Sequence, residues 1–332
     1  MAFKTDKASI NQSALTSNVL DVSGNAIISS LKGTGYRVVT VGTDGSLSTS
    51  SIPTPPKVYG LFGDGSLGDV TLDVSTTLSR DMNYYNLTIN SNVWLNTAGF
   101  VLRVFGTLTI NSGGHIACDG GNGGNGTATA YGSGGAPPYY SSSIFPFIGI
   151  PSGGGNGAVY VSAGTSASAG ATGGASSNSV TYNPPPIIRA GAGGGGGGAV
   201  GSGSFTAANS YNVDFAAGAG GTGKSAVVPS ASTQGCGGGG GGGGGVLIIY
   251  ANTINNAGSI HANGGNGGNG YYVSGVVQAG GGGGGGGGTV IVFYRKTTGS
   301  GLGTITANAG SAGSYGTGGT SATNGIVITY NM

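Results

Sequence analysis

Gly218-Ala-Gly-Gly-Thr-Gly-Lys224-Ser225 has the form of a phosphate-binding P-loop. That chemistry needs a buried strand before the loop and a helix after it, so that the helix N-terminus faces the phosphates. Tyr211–Phe215 is a weak strand, and Ala226-Val-Val-Pro229 is not helix material. Asp214 is the only acid after Asp119, so no magnesium partner follows. His115 and His261, the only histidines, sit near but not at equivalent positions of a repeat described below. A metal site on them would need Cys118 or Asp119 as further ligands; they read as surface or rung-edge residues. Asp64, Asp69 and Asp73 cluster around a Gly-Asp-Gly-Ser-Leu-Gly-Asp loop, the last of them four residues beyond it. Glycan hydrolysis needs two carboxylates at a set separation, and calcium needs clustered oxygens; this spacing suits turn residues better. No catalytic, cofactor-binding or metal residue is assigned, no cofactor is expected, and the chain reads as a non-enzyme.

The aromatic residues carry more information. Tyr131, Tyr139, Tyr140, Phe145 and Phe147 lie among Pro137, Pro138 and Pro146. Tyr160, Tyr182, Tyr271 and Tyr272 occupy later loops. Tyrosine among Ser, Gly and Asn makes good contact surface at low entropic cost. These nine residues are the candidate contact residues, for a protein or a glycan. Filling of local cores or subunit contacts is the competing role.

Something must position those loops, and the composition restricts what it is. Glycine supplies 78 of 332 residues, and charged residues only 6%. All nine acids are aspartates, eight of them at or before Asp119, and the net charge is +2. Disordered chains usually carry excess charge, and nucleic-acid binders carry a basic stripe; this chain has neither. Two cysteines give no disulfide framework, and the N-terminus lacks the apolar segment of a signal peptide. No apolar run approaches the ~20 residues of a membrane span, so no membrane insertion is expected.

One unit recurs along the chain. Thr109–Gly126 (TINSGGHIACDGGNGGNG) returns 144 positions later as Thr253–Gly270 (TINNAGSIHANGGNGGNG). A third copy follows 45 positions on, at Gly303–Gly313, and a shorter one lies 21 upstream, at Leu87–Gly99. Each unit reads as strand, Asn/Gly turn and second strand. Alternation puts Leu87, Ile89, Ile110 and Ile116 inward. A single unit cannot bury its apolar face, whereas stacked units can. Residues 58–126 therefore read as a β-solenoid-like or β-sandwich segment whose rungs recur later.

Pure glycine runs at Gly193–Gly198, Gly237–Gly245 and Gly280–Gly288 alternate with loops; the last two feed into Val246–Tyr250 and Thr289–Tyr294. Ordered glycine must recover a large entropy loss. Packed polyproline-II-type helices would do this, because their N–H and C=O groups point sideways toward neighbours. In this pattern of tracts and unlike loops over 119–324 the chain resembles the receptor-binding tip adhesins of T-even-like bacteriophages. That resemblance implies polyglycine-II helices carrying variable loops that touch a bacterial receptor. The long β-branched strands joined to the tracts depart from it.

Residues 1–50 differ in composition from the rest. Asp44-Gly45 between β-rich runs signals a hairpin, and Ile52-Pro-Thr-Pro-Pro-Lys57 reads as a stiff linker. Gly33, Gly35, Arg37, Val39, Asp44, Gly45, Leu47, Ser48, Thr49, Ile52 and Pro53 resemble a small repeat of bacteriophage fibre proteins. The resemblance implies attachment to other virion proteins.

The expected fold is all-β: an elongated, repeat-built β-solenoid or sandwich with packed polyglycine-II tracts. Residues 1–57 form an N-terminal attachment segment, 58–126 a strand-repeat domain, and 127–332 a glycine-rich body with variable loops. The expected role is a virion fibre or spike that binds a host surface protein or glycan and assembles as a homo-oligomer, a trimer being one option. It would be made in the host cytoplasm and carried on the virion. The alternative is a structural virion component, a head fibre or capsid decoration, without a receptor.

Overall fold

The computed structural model describes residues 37–41, 47–51, 60–138, 151–158, 235–273, 277–316 and 321–332. The chain divides into two compact units, Met1–Val58 and Tyr59–Met332. In the first, β1 (Arg37–Val41) and β2 (Leu47–Ser51) pair antiparallel from Arg37↔Ser51 to Val41↔Leu47. This is the pairing that the Asp44-Gly45 signal predicts.

The described residues of the second unit contain strands and no helix. They begin with β3 (Asp69–Leu72), β4 (Thr76–Thr77), β5 (Met82–Tyr84), β6 (Asn86–Ile89), β7 (Trp94–Asn96), β8 (Leu102–Ile110) and β9 (His115–Ala117). They continue with β10 (Val246–Asn256), β11 (Ser259–His261), β12 (Tyr272–Val273), β13 (Val277–Gln278), β14 (Thr289–Thr297), β15 (Thr304–Thr306) and β16 (Ile326–Asn331). One sheet runs β16-β14-β10-β8-β6-β3, with β5 pairing the first half of β8. A second runs β15-β11-β9-β7-β4. Every pair in both sheets is parallel. The two strands of each sequence unit thus enter different sheets, and successive copies lie side by side.

Like residues align across the copies. Leu95, Ile116, Ile260 and Ile305 form one column of the second sheet. Leu87, Leu108 and Ile254 form one of the first. These columns meet in a single core, and Leu87, Ile89, Leu95, Leu108, Ile110, Ile116, Ile254 and Ile260 are fully buried. The inward positions predicted by alternation are therefore correct. Burying one such side chain contributes about 1.5–3 kcal/mol.

Beyond the second strands the chain runs into glycine, and backbone bonds leave these tracts sideways. In Gly237–Gly245 every third N–H meets the same neighbour. Gly238, Gly241 and Gly244 donate to the carbonyls of Gly280, Gly283 and Gly286 at 2.9–3.0 Å. Gly239, Gly242 and Gly245 donate to Gly124, Gly121 and Cys118. Gly237, Gly240 and Gly243 donate to Ala158, Gly155 and Ser152. The first neighbour runs in the same direction and the other two run opposite to it. All nine glycines are buried, so lateral bonding satisfies groups that would otherwise be costly orphans.

The Gly-Gly-Asn spacing has the same origin. Asn122 and Asn125 are exposed on their tract, and their side-chain oxygens accept the N–H groups of Asn266 and Asn269 at 2.8 Å. Asn266 and Asn269 in turn accept from Ser311 and Ser314. One position in three faces solvent and carries a ladder of amides; the other two face packed backbone.

Candidate functional site

Three of the nine predicted contact residues lie among the described residues. Tyr131 is 44% exposed, just after a turn closed by the Thr127 hydroxyl. Tyr271 is half-buried. Tyr272 lies on β12, which pairs antiparallel with β13, and stacks on Tyr315 with centroids 4.3 Å apart and planes within 2°. Tyr315 was not among the predicted residues. Tyr139, Tyr140, Phe145, Phe147, Tyr160 and Tyr182 lie outside the described residues, as do Gly193–Gly198 and the P-loop-like Gly218–Ser225.

The aspartates of the first loop are structural here. Asp64 accepts the Ser66 N–H in a turn. Asp69 and Asp73 accept the side-chain amides of Asn86 and Asn90 on the next rung. Asn90 accepts from Asn111 beyond it at 2.8 Å. Among the described residues no group of three His, Cys, Asp or Glu side chains could hold a metal ion.

A polar cluster of the described residues sits on the face of the second sheet away from the shared core. Trp94, His115, Ser259 and Thr304 occupy one column, and His261 lies on the same face one step along. Asp119 holds His261 Nδ1 at 2.8 Å. His261 Nε2 is 3.2 Å from His115 Nδ1, which also meets Ser259 Oγ at 2.7 Å. The Trp94 indole lies flat on His115, at 4.0 Å and 18°, and meets the edge of His261 at 5.3 Å. Burial lowers the His115 pKa, and charge on His261 lowers it further, against an opposing effect of Asp119. With a proton on His261 Nδ1 for Asp119, a bond between the rings needs one proton between them. Two protons there would place donor against donor.

This arrangement differs from a metal site of the predicted residues. Asp119 occupies His261 Nδ1 from behind. Cys118 points into the core, where burial pushes its thiol up to about 12. Neither turns toward His115. Nor is the cluster a nucleophilic triad, since Ser259 and His261 meet the same nitrogen of His115. A proton taken from Ser259 there could not be passed on through the ring. Both Cys118 and Cys236 are free thiols.

The first sheet bears an aromatic row on the face away from the shared core. Tyr250, Phe293 and Tyr330 stack at 4.6 and 5.0 Å across β10, β14 and β16. Arg103, paired with Asp81 at 3.0 Å, lies over Tyr250. Arg103 and Tyr250 also line a cleft of about 370 Å³ with Gly60, Leu61, Gly63 and Asn83. Stacked rings cover one another's faces, so this row presents edges to solvent along most of its length.

Trp94, Ser259, Tyr315 and the Arg103 cleft were not singled out from sequence. A signal existed for the first two: the repeat offsets of 21 and 144 carry position 94 to 115 and then to 259. No family model, curated protein or solved structure matches the chain.

Proposed function

We propose that this chain is a bacteriophage virion fibre or spike protein that binds a host cell-surface protein or glycan through loops held on a glycine-rich β scaffold. In this reading the parallel rungs form a β-solenoid and the tracts are polyglycine-II helices, three residues per turn. Residues 1–57 attach the molecule to other virion proteins, the assembly is a homo-oligomer, and no reaction is catalysed.

One observation carries the reading. Adjacent rungs lie 21 positions apart at Trp94↔His115 and 144 apart at His115↔Ser259. The rung geometry is the same, so the additional chain between the later pair is extra to the strand rungs, and part of it forms the bonded tracts around Gly121, Gly135, Gly155 and Gly240. Long loops on a rigid frame are where recognition concentrates. The frame supplies rigidity through buried backbone bonds rather than charge, and the exposed tyrosines at the loops supply contact area.

The test is competition. Purified full-length protein added to host cells should block adsorption of the phage that encodes it. Protein carrying alanine at Tyr131, Tyr139, Tyr140, Phe145 and Phe147, which keeps the Gly132–Ala136 backbone bonds to the neighbouring tracts, should fold and block less. Equal blocking by both proteins would remove that loop from the receptor surface. Failure of the intact protein to bind cells would leave the receptor-binding reading without support.

A further inference from the structure

Trp94 is the only tryptophan in the chain and is 43% exposed. Its ring is held in place from behind. Asp119 grips His261, and His261 and Ser259 both reach His115 Nδ1. His115 covers one face of the indole. The other face turns toward the preceding rung, where Thr76↔Leu95 sets the register and Ser75 takes the next place in the column. Ser75 Oγ accepts the Trp94 backbone N–H at 3.0 Å. A serine is too small to cover an indole. Ser75, just before β4, and Thr77 within it lie on the side on which the ring opens, and both are exposed.

Such a surface is a flat, rigid, uncharged apolar plate flanked by hydroxyls. It differs from the Tyr250–Phe293–Tyr330 row, where the inner ring faces stack on one another, Arg103 lies over Tyr250 and only the terminal Tyr330 keeps an outer face. Aromatic faces carry a negative quadrupole and attract polarised C–H groups as well as cations. A cation site gains most from several rings around the charge, and this site offers one open face. A pyranose suits it better: its axial C–H groups form an apolar face, and its equatorial hydroxyls point sideways toward hydrogen-bonding neighbours. Preorganisation by the His–His–Asp relay removes ordering cost from binding.

We propose that the open face of Trp94 is a glycan-stacking subsite for a neutral pyranose with a contiguous C–H face. His115 is its backing, and His261 and Asp119 are positioning residues. The proposal depends on the receptor-binding reading only for the reason that a host glycan meets this protein. Its test uses no cells, so the two can fail separately.

Trp94 emission of the full-length chain is titrated with methyl β-galactopyranoside, methyl β-glucopyranoside and tetramethylammonium chloride. At least one glycoside should give a saturable change with a midpoint on the order of 1–10 mM, typical of one small contact face. Saturation-transfer NMR on the same glycoside covers variants lacking the fluorophore. Trp94→Ala should lose the transfer and Trp94→Phe retain part of it. His261→Asn, which keeps the indole but frees its backing, should raise the midpoint about threefold or more. Unchanged unfolding midpoints would show that the variants fold. No saturable response to either glycoside, a response to tetramethylammonium alone, or full transfer to Trp94→Ala would each overturn the proposal.

Discussion

A single methyl group tests whether the glycine tracts are packed as described. A Cβ on Gly241 would lie 2.5 Å from the Gly265 carbonyl carbon and closer still to its oxygen. Carbon atoms rest about 3.5–4.0 Å apart, so the two tracts must separate by ~1 Å. Two bonds join them directly: Gly265 N–H to Gly242 at 2.8 Å and Gly268 N–H to Gly239 at 2.7 Å. Stretched by that amount, neither is a hydrogen bond. Each such bond broken with its buried groups left unpaired costs about 1–3 kcal/mol. Restricting the unfolded chain returns about 0.4–1 kcal/mol. Gly241→Ala should therefore destabilise by about 2–5 kcal/mol. Gly153→Ala is the control, because its nearest neighbours would lie 3.3 Å away, at Gly135 and Pro137. It should change stability by less than ~1 kcal/mol. Urea unfolding at equal protein concentration, followed by Trp94 emission, measures both. Equal midpoints for the two variants would refute close lateral packing of the tracts.

Further outcomes are expected from the core and the polar cluster. Ile116→Ala, at the centre of the core column and fully buried, should lose about 2–5 kcal/mol in the same assay. Cys118 should resist alkylation in the folded protein at pH 8 and react on unfolding, because burial pushes its thiol up to about 12. A folded-state pKa above the unfolded one means that this contribution is complete below the ordinary thiol value. It is lost as pH rises toward 12, so the urea midpoint should fall in that window. His115 has its pKa lowered, first by burial and then by His261. Its contribution is therefore present above the ordinary imidazole value of about 6.5 and lost as pH falls through the lower folded value. Trp94 emission should report that titration below pH ~6.5. Asp119→Asn should move the midpoint lower still, since Asp119 is the one group that raises it.

Much of the rung architecture was legible because stacked copies must present like residues at like positions. The offset of 21 recurs as Leu95↔Ile116, and that of 45 as Ile260↔Ile305. The offset of 144 recurs as Ile260↔Ile116. The ungapped alignment fails in β10, where Ile254 pairs with Leu108, an offset of 146. The reason is a turn: positions 111–114 separate β8 from β9, whereas 257–258 separate β10 from β11. Repeat matching follows composition and cannot see a turn shortened by two. The division of each unit between two sheets was not legible either, since alternation fixes which face is buried and not which strand lies alongside. Trp94 went unnoticed as a site for a related reason. Its significance comes from neighbours at 115, 259 and 261, and those are set by register rather than by local pattern.

The three-residue period of the lateral bonds gives the tracts a reading frame. Gly238, Gly241 and Gly244 address one neighbour, and each intervening set addresses another. Inserting or deleting one residue would shift every later residue to the wrong neighbour and turn an asparagine such as Asn266 from solvent toward packed backbone. Inserting or deleting three would preserve the phase and change only the length. Tracts of this kind should thus vary between related proteins in steps of three, while the loops at their ends vary in length without restriction. The scaffold separates two kinds of change: a quantised one in the frame and a continuous one in the loops.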